Sequence, residues 1–298
     1  FEKETLSNGA LMPSYPASKS IAALGGMVMN NSGGEKTLRY GQTSKFVREV
    51  RMVLSDGEEH TFRALDESGL RAKMAEPTFE GEIYRKTREL LERNYDVVEK
   101  ARPKTSKNSA GYALWDIWDK EKGTFDLAQL FTGSQGTLGI MTGARLRLIR
   151  EKKHTILLPV FFSSWDELPR VVKEVLPYNP ESLELFDIET LKLGIRFMPE
   201  IAKKAGSSFI PFALQFLPEV WVMIRLMGLP KLVVLIQLAE DTEEEVRQKA
   251  AKVDALVRKF HVCARTIYST EEAEKYWVMR RESFNLLREH VKGKKTAP

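Results

Sequence analysis

Leu24-Gly-Gly-Met-Val-Met-Asn-Asn-Ser-Gly-Gly-Glu-Lys-Thr-Leu-Arg-Tyr-Gly41 sets two glycine pairs, Gly25-Gly26 and Gly33-Gly34, around a short apolar run ending in asparagines. Glycine permits backbone torsions closed to other residues, and it removes side chains that hold a bulky ligand away. Consecutive N–H groups in such a turn form a concavity for anions, suited to a pyrophosphate. Gly133-Ser-Gln-Gly-Thr-Leu-Gly139 is a second run of the same kind. Together they point to a large phosphorylated cofactor lying along bare backbone. The plainer reading is tight turns in an α+β domain.

Val47 to Leu54 reads as a strand, Ser55-Asp-Gly-Glu58 as a hairpin turn and Glu59 to Leu65 as its partner, because Asp-Gly suits a turn with positive φ. Apolar positions between residues 79 and 99 predict a surface helix broken at Asn94, followed by a polar loop from Lys100 to Ser109. Asp126 to Phe131 reads as a short helix and Ile140 to Ile149 as a strand. These elements predict an α+β unit over residues 1–151.

Residues 152–298 are more regular. Strands are expected at Thr155–Phe162, Ser182–Phe186, Lys231–Leu238 and Ala264–Tyr268. Ser164-x-x-Glu167 and Asp241-Thr-Glu-Glu244 read as helix-opening boxes, and Ser269-Thr-Glu-Glu272 as the cap of a last helix. The order β-α-β, insertion, β-α-β is the ferredoxin-like split βαβ pattern. The insertion at 188–229 is apolar, densest over 206–230. Pro211, Gln215, Pro218, Glu219 and Arg225 interrupt it, against a span of about twenty clean apolar residues needed to cross a bilayer. A buried lid and an interfacial membrane contact through Trp221 and Arg225 remain the two readings.

The chain's 298 residues suit two cores. A net charge of +5 is too mild and dispersed for a nucleic-acid partner, though it favours anionic ligands. One cysteine, Cys263, excludes an internal disulfide and fits a reducing, cytoplasmic compartment; it reads as a small buried hydrophobe. His60, His154, His261 and His290 lack ligand spacing, so no metal site is expected. Neither a Gly-x-Gly-x-x-Gly fingerprint nor a phosphate-binding loop of the Walker type occurs.

Read in order, Tyr15-Pro-Ala-Ser18, Ile21-Ala-Ala-Leu-Gly-Gly26, Asn30-Asn-Ser-Gly-Gly34, Arg39-Tyr-Gly41, Gly111-Tyr112 and Leu130-Phe-Thr-Gly-Ser-Gln-Gly-Thr-Leu-Gly-Ile140 carry a resemblance. The chain resembles FAD-linked oxidases of the vanillyl-alcohol oxidase (PCMH) type, in the branch of D-lactate, glycolate and D-2-hydroxyglutarate dehydrogenases. Trp277-Val-Met-Arg280 is similar to that branch's substrate-binding Trp-x-x-Arg. The resemblance implies the later part of a PCMH-type FAD-binding domain over 1–151 and the FAD-linked oxidase C-terminal, substrate domain over 152–298. It implies an FAD site at Pro16, Ser18, Gly25, Gly26, Asn30, Gly33, Gly34, Tyr40, Gly41, Gly133, Ser134, Gly136, Thr137, Gly139 and Ile140. Gln135 stands where the family usually carries Glu. It further implies a first FAD-binding half-domain before Phe1 and a histidine-rich segment, holding the catalytic base, after Pro298.

Arg280 is the leading candidate for binding substrate, since a planar guanidinium grips a carboxylate bidentately and fixes its orientation. Arg281 is its neighbour if the register slips, and Lys295 is a second candidate within the charge run from Lys292. The plainer role for Arg280 is a surface pair with Glu272 or Glu274. The implied reaction is hydride transfer from Cα of a small D-2-hydroxy acid, of the D-lactate or glycolate type, to FAD while a base takes the hydroxyl proton. The implied partners are that acid and an electron acceptor: a quinone, cytochrome or iron-sulfur protein. A homodimer and peripheral contact through 206–230 stay open. So do two rival roles, oxidation of an alcohol lacking a carboxylate and a non-catalytic docking module.

Overall fold

The computed structural model describes residues 1–19, 21–204 and 208–290. The chain divides into two compact units, Phe1–Glu151 and Lys152–Pro298.

The first unit contains α1 (Glu2–Ser7), β1 (Ala10–Leu11), α2 (Leu24–Met29), α3 (Thr37–Tyr40), β2 (Val47–Val53), β3 (Glu59–Asp66), α4 (Glu67–Ala75), α5 (Phe79–Arg93), α6 (Tyr95–Ala101), β4 (Trp118–Asp119), β5 (Thr124–Asp126), α7 (Ala128–Phe131), β6 (Ile140–Leu146) and β7 (Ile149–Arg150). Five strands form an antiparallel sheet in the order β4-β5-β3-β2-β6, while β1 and β7 pair separately. The β2–β3 hairpin turns at Gly57, whose φ of 85° no β-branched residue would accept readily. Asn94 separates α5 from α6, as the charge and apolar pattern anticipated. Val50, Met52, Phe62, Tyr84, Leu91, Phe125 and Phe131 form the core between the sheet and its helices.

The second unit contains β8 (His154–Phe162), α8 (Leu168–Val175), β9 (Ser182–Asp187), α9 (Ile188–Arg196), α10 (Met198–Lys204), α11 (Phe209–Leu214), α12 (Leu217–Arg225), β10 (Leu232–Glu240), α13 (Glu243–Val257), β11 (Val262–Ala264) and α14 (Thr270–His290). The sheet order β11-β8-β10-β9, all antiparallel, is the ferredoxin-like arrangement with α8 and α13 as its crossovers. Ile156, Leu158, Val160 and Phe162 face α8 and α13; Leu157 and Phe161 face the other way, toward α12 and α14. Burial on both faces explains why β8 reads as an unbroken apolar run.

Three local expectations are corrected. Ser164 does not open a helix: Pro169 belongs in a first turn, where its missing N–H is harmless, and this delays the start to Leu168. Ser164 instead bonds Asp166 through side chain and backbone. The expected strand Ala264–Tyr268 is split into β11 and a single bridge at Ile267. Opposite the gap sits Pro159, whose carbonyl accepts from Arg265 N–H but which has no N–H to return. The box expected to begin at Asp241 is displaced by one residue, with Thr242 capping α13 and Glu245 reaching back.

The insertion is helical and not uniformly buried. Its inner side sets Ile201, Phe212 and Val222 into buried apolar clusters and adds a charged cluster that the sequence did not reveal. Glu219 on α12 is 4% exposed and Lys275 on α14 is 2% exposed. The Lys275 ammonium donates to Gln215 O at 2.5 Å and to the Glu219 carboxylate at 3.2 Å. Arg265 and the Tyr276 hydroxyl also donate to Glu219. Burial first, and then the Glu219 charge, pushes the Tyr276 phenol far up, so it remains a donor.

Candidate functional site

The glycine-rich runs of the first unit meet in space, and backbone bonds join them. Gly133 N–H donates to Val28 O at 3.1 Å, and Gln135 N–H donates to Met29 O at 2.8 Å. The second run is therefore pinned to the C-terminal half of α2. Positive φ at Gly133, Gln135, Gly136 and Gly139 bends it there. Gln135 contributes its backbone and leaves its side chain exposed, so the turn forms without the family's glutamate.

Gly25-Gly26 is not a turn. Both residues lie in the first turn of α2, which buried Met27 and Val28 hold in place. Ala23 precedes them and offers no capping side chain. The N–H groups of Leu24, Gly25 and Gly26 consequently have no acceptor among the described residues. A methyl at Gly26 would meet nothing within 4 Å, and the same holds at Gly136.

Gly33 and Gly34 are close-packed against their own chain instead. A Cβ at Gly34 would enter the Tyr15 carbonyl oxygen, and one at Gly33 would strike Thr37 and Gln42. This brings Tyr15 and Pro16 against the asparagine segment, with the Tyr15 hydroxyl donating to Glu35 at 2.9 Å. Ser18 lies exposed just beyond. Tyr40 ends α3 and Gly41 follows with φ of 81°. Gly139 is likewise a packing glycine, close to Val53 O and Leu54. Ile140 is 72% exposed at the start of β6, and Thr137 Oγ1 shares a 2.8 Å hydrogen bond with the Tyr112 hydroxyl.

Two polar side chains stand ready for a ligand. The Ser134 hydroxyl is buried without a partner among the described residues. A buried hydroxyl left unpaired in this way is unfavourable by about 1–3 kcal/mol. Asn30 is exposed, and its amide makes no hydrogen bond among them. N–H groups without an acceptor among the described residues, open space over Gly26 and Gly136, and a buried hydroxyl without a partner among them fit an acceptor-rich ligand. They fit the phosphates or ring carbonyls of a dinucleotide.

Two residues that hold this arrangement escaped the sequence reading. Buried Gln42 donates to Asn31 O at 2.7 Å and Ser109 Oγ at 3.0 Å, and accepts from Asn108 N–H at 2.7 Å. Asn31, with φ of 44°, accepts from Ser44 N–H through its side chain. The only local signal was a polar amide beside Gly41.

In the second unit Arg280 projects from α14 and pairs with Glu184 on β9, not with Glu272 or Glu274. Its Nε is buried with no acceptor among the described residues. Arg281 follows on the same helix, its side chain outside the described residues, and Lys295 lies outside them entirely.

Family models match both units. An FAD binding domain covers residues 1–63, and the C-terminal domain of FAD linked oxidases covers 151–298. The chain belongs to the FAD-linked oxidases. D-2-hydroxyglutarate dehydrogenase of Pseudomonas putida is 30% identical over 175 residues, covering 59% of this chain and 17% of that protein. Glycolate oxidase subunit GlcD of Bacillus subtilis is 26% identical over 187 residues, covering 62% of this chain and 29% of that protein. This FAD-linked oxidase chain thus spans under a third of the relatives' length. A solved structure of alkyldihydroxyacetonephosphate synthase matches 97% of the chain and 42% of its own length at a TM-score of 0.62 and 15% identity, which establishes shared fold. FAD is the cofactor of the family, and the donors around α2 and residues 133–136 are of the kind it requires.

Proposed function

We propose that the chain forms the flavin-holding and acid-recognising part of an FAD-dependent dehydrogenase of small D-2-hydroxy acids, of the D-lactate or glycolate type. Leu24, Gly25 and Gly26 N–H, Asn30, Ser134 and Gly136 hold FAD directly. Gly33, Gly34, Gly41, Gly133 and Gly139 shape the backbone around it, with Pro16, Ser18, Tyr40, Thr137 and Ile140 at its border. When bound, FAD accepts the hydride from the substrate's Cα.

Arg280 carries the substrate reading. Its guanidinium is oriented by Glu184, and its buried Nε–H lacks an acceptor that a carboxylate would provide. Glu184 engages one terminal nitrogen of the guanidinium and leaves Nε–H for an entering carboxylate. Arg281 and Lys295 are secondary candidates. Electrons then leave to a quinone, cytochrome or iron-sulfur partner. The compartment is cytoplasmic, with peripheral attachment to the membrane through residues 206–230; pairing of two copies is the competing use of that segment. No helix among the described residues is long and apolar enough to cross a membrane.

The test is flavin bleaching in the protein that carries this chain, using D-lactate, glycolate, D-2-hydroxyglutarate and a carboxylate-free alcohol. The acids should bleach it and the alcohol should not. Arg280→Ala should raise KM for the acids by about a hundredfold, as loss of a charge-assisted pair worth roughly 3 kcal/mol implies. Equal bleaching by the alcohol, or an unchanged KM, refutes the reading.

A further inference from the structure

Helix α12 carries two apolar faces. Its buried side sets Val222 in the core beside the Glu219 carboxylate, while Leu217, Val220, Trp221 and Ile224, spaced to share one face, are all exposed. Trp221 is 75% exposed. The apolar display continues past the helix. Met227 takes φ of 54° in a Schellman turn, with Gly228 N–H donating to Met223 O at 2.9 Å. That position ordinarily belongs to glycine, yet here it holds a methionine 94% exposed.

Beside this face runs a cleft of 580 Å³ lined by Trp221, Arg225, Arg258, Phe260, His261 and Arg265, and no carboxylate lies among its lining residues. Two of the arginines already have anionic partners: Asp254 holds Arg258 at 2.6 Å, and Glu219 and Glu272 hold Arg265. Arg225 and His261 make no ion pair or hydrogen bond among the described residues. Cationic groups at the rim of an exposed aromatic and aliphatic stripe complement an anionic lipid surface: the stripe enters the acyl boundary and the cations meet the phosphates. A second copy of the chain would bring the same cations to the same cleft, so charge favours lipid over self-pairing.

We propose that α12 seats on an anionic phospholipid surface, with Trp221, Ile224 and Met227 in the interface and a lipid phosphate in the cleft against Arg225 and His261. The proposal rests on the peripheral-attachment reading and adds its lipid class and contact residues.

Co-sedimentation of the protein that carries this chain with vesicles of phosphatidylcholine alone, or of phosphatidylcholine mixed with phosphatidylglycerol, tests it. Binding should be about tenfold stronger to the anionic vesicles and fall with salt. Trp221→Asp should abolish binding to both, and Arg225→Glu should erase only the anionic preference. Unchanged circular dichroism in each variant confirms folding. Equal binding to both vesicles overturns the phosphate site but leaves peripheral attachment standing; binding to neither overturns both. Two further results overturn the proposal: a concentration-dependent dimer lost in Trp221→Asp, or saturable binding of inorganic phosphate without vesicle binding.

Discussion

Gly26 and Gly34 share a residue type for opposite reasons, and substitution should separate them. At Gly34 a methyl collides with the Tyr15 carbonyl, so Gly34→Ala disturbs the fold itself. At Gly26 a methyl meets only open space inside a helix, where alanine is favoured over glycine by about 1 kcal/mol. Gly26→Ala should therefore keep or raise the melting temperature while weakening FAD at least tenfold. Gly34→Ala should lower the melting temperature by several degrees. Thermal melts paired with flavin titration measure both effects. A Gly26→Ala variant that binds FAD normally would remove Gly26 from the cofactor's contact surface.

Among the elements, α12 is held by a charge cluster as well as by burial of Val222. Removing one member of a buried ion pair strands the other and typically destabilises by about 3–5 kcal/mol. Glu219→Gln leaves the Lys275 ammonium in that position, since its remaining close acceptors are Gln215 O and, at 3.7 Å, Glu272. Denaturant unfolding of Glu219→Gln should show a loss of this size. Glu219→Leu combined with Lys275→Met should recover most of it. A double variant no better than the single would mean that the cluster supplies more than mutual charge compensation.

Elements governed by local rules were readable in the chain. Asp56-Gly57 marked the hairpin, Asn94 the helix break, and the apolar run from Thr155 to Phe162 a strand. Misreadings arose where a proline or a distant partner prevailed. Pro169 moved a helix start and Pro159 divided a strand. Gly25-Gly26, a turn by composition, became helix because Met27 and Val28 pack beneath it. Within the candidate site the glycine runs stood out in the sequence, but Gln42 did not, because its partners Asn108 and Ser109 lie far along the chain. Glu219 and Lys275 escaped notice for the same reason.

For the whole molecule, each unit has its own buried core and its own sheet, so heating should give separable transitions. The proposed flavin contacts all lie in residues 1–151, and a ligand bound only to the folded state raises the stability of the part it binds. At a concentration of about a hundred times Kd, FAD should add roughly 2.7 kcal/mol to the first unit. Calorimetry should show one transition moving and the other fixed. Movement of both would show that cofactor binding couples them, and movement of neither would argue against FAD contacts in the first unit.

The bonds from Gly133 and Gln135 to the end of α2 have a consequence for how the protein is born. They join segments near opposite ends of the first unit, with strands β2 to β5 and helices α3 to α7 threaded between. Contacts of such sequence separation close late, after the intervening chain has paid its loop entropy. A nascent chain emerging from the ribosome thus displays Gly25-Gly26 long before the strand-and-loop partner that completes the cradle exists. Cofactor capture must await release of the whole unit, and ribosome-stalled intermediates ending before residue 133 should remain colourless in the presence of flavin.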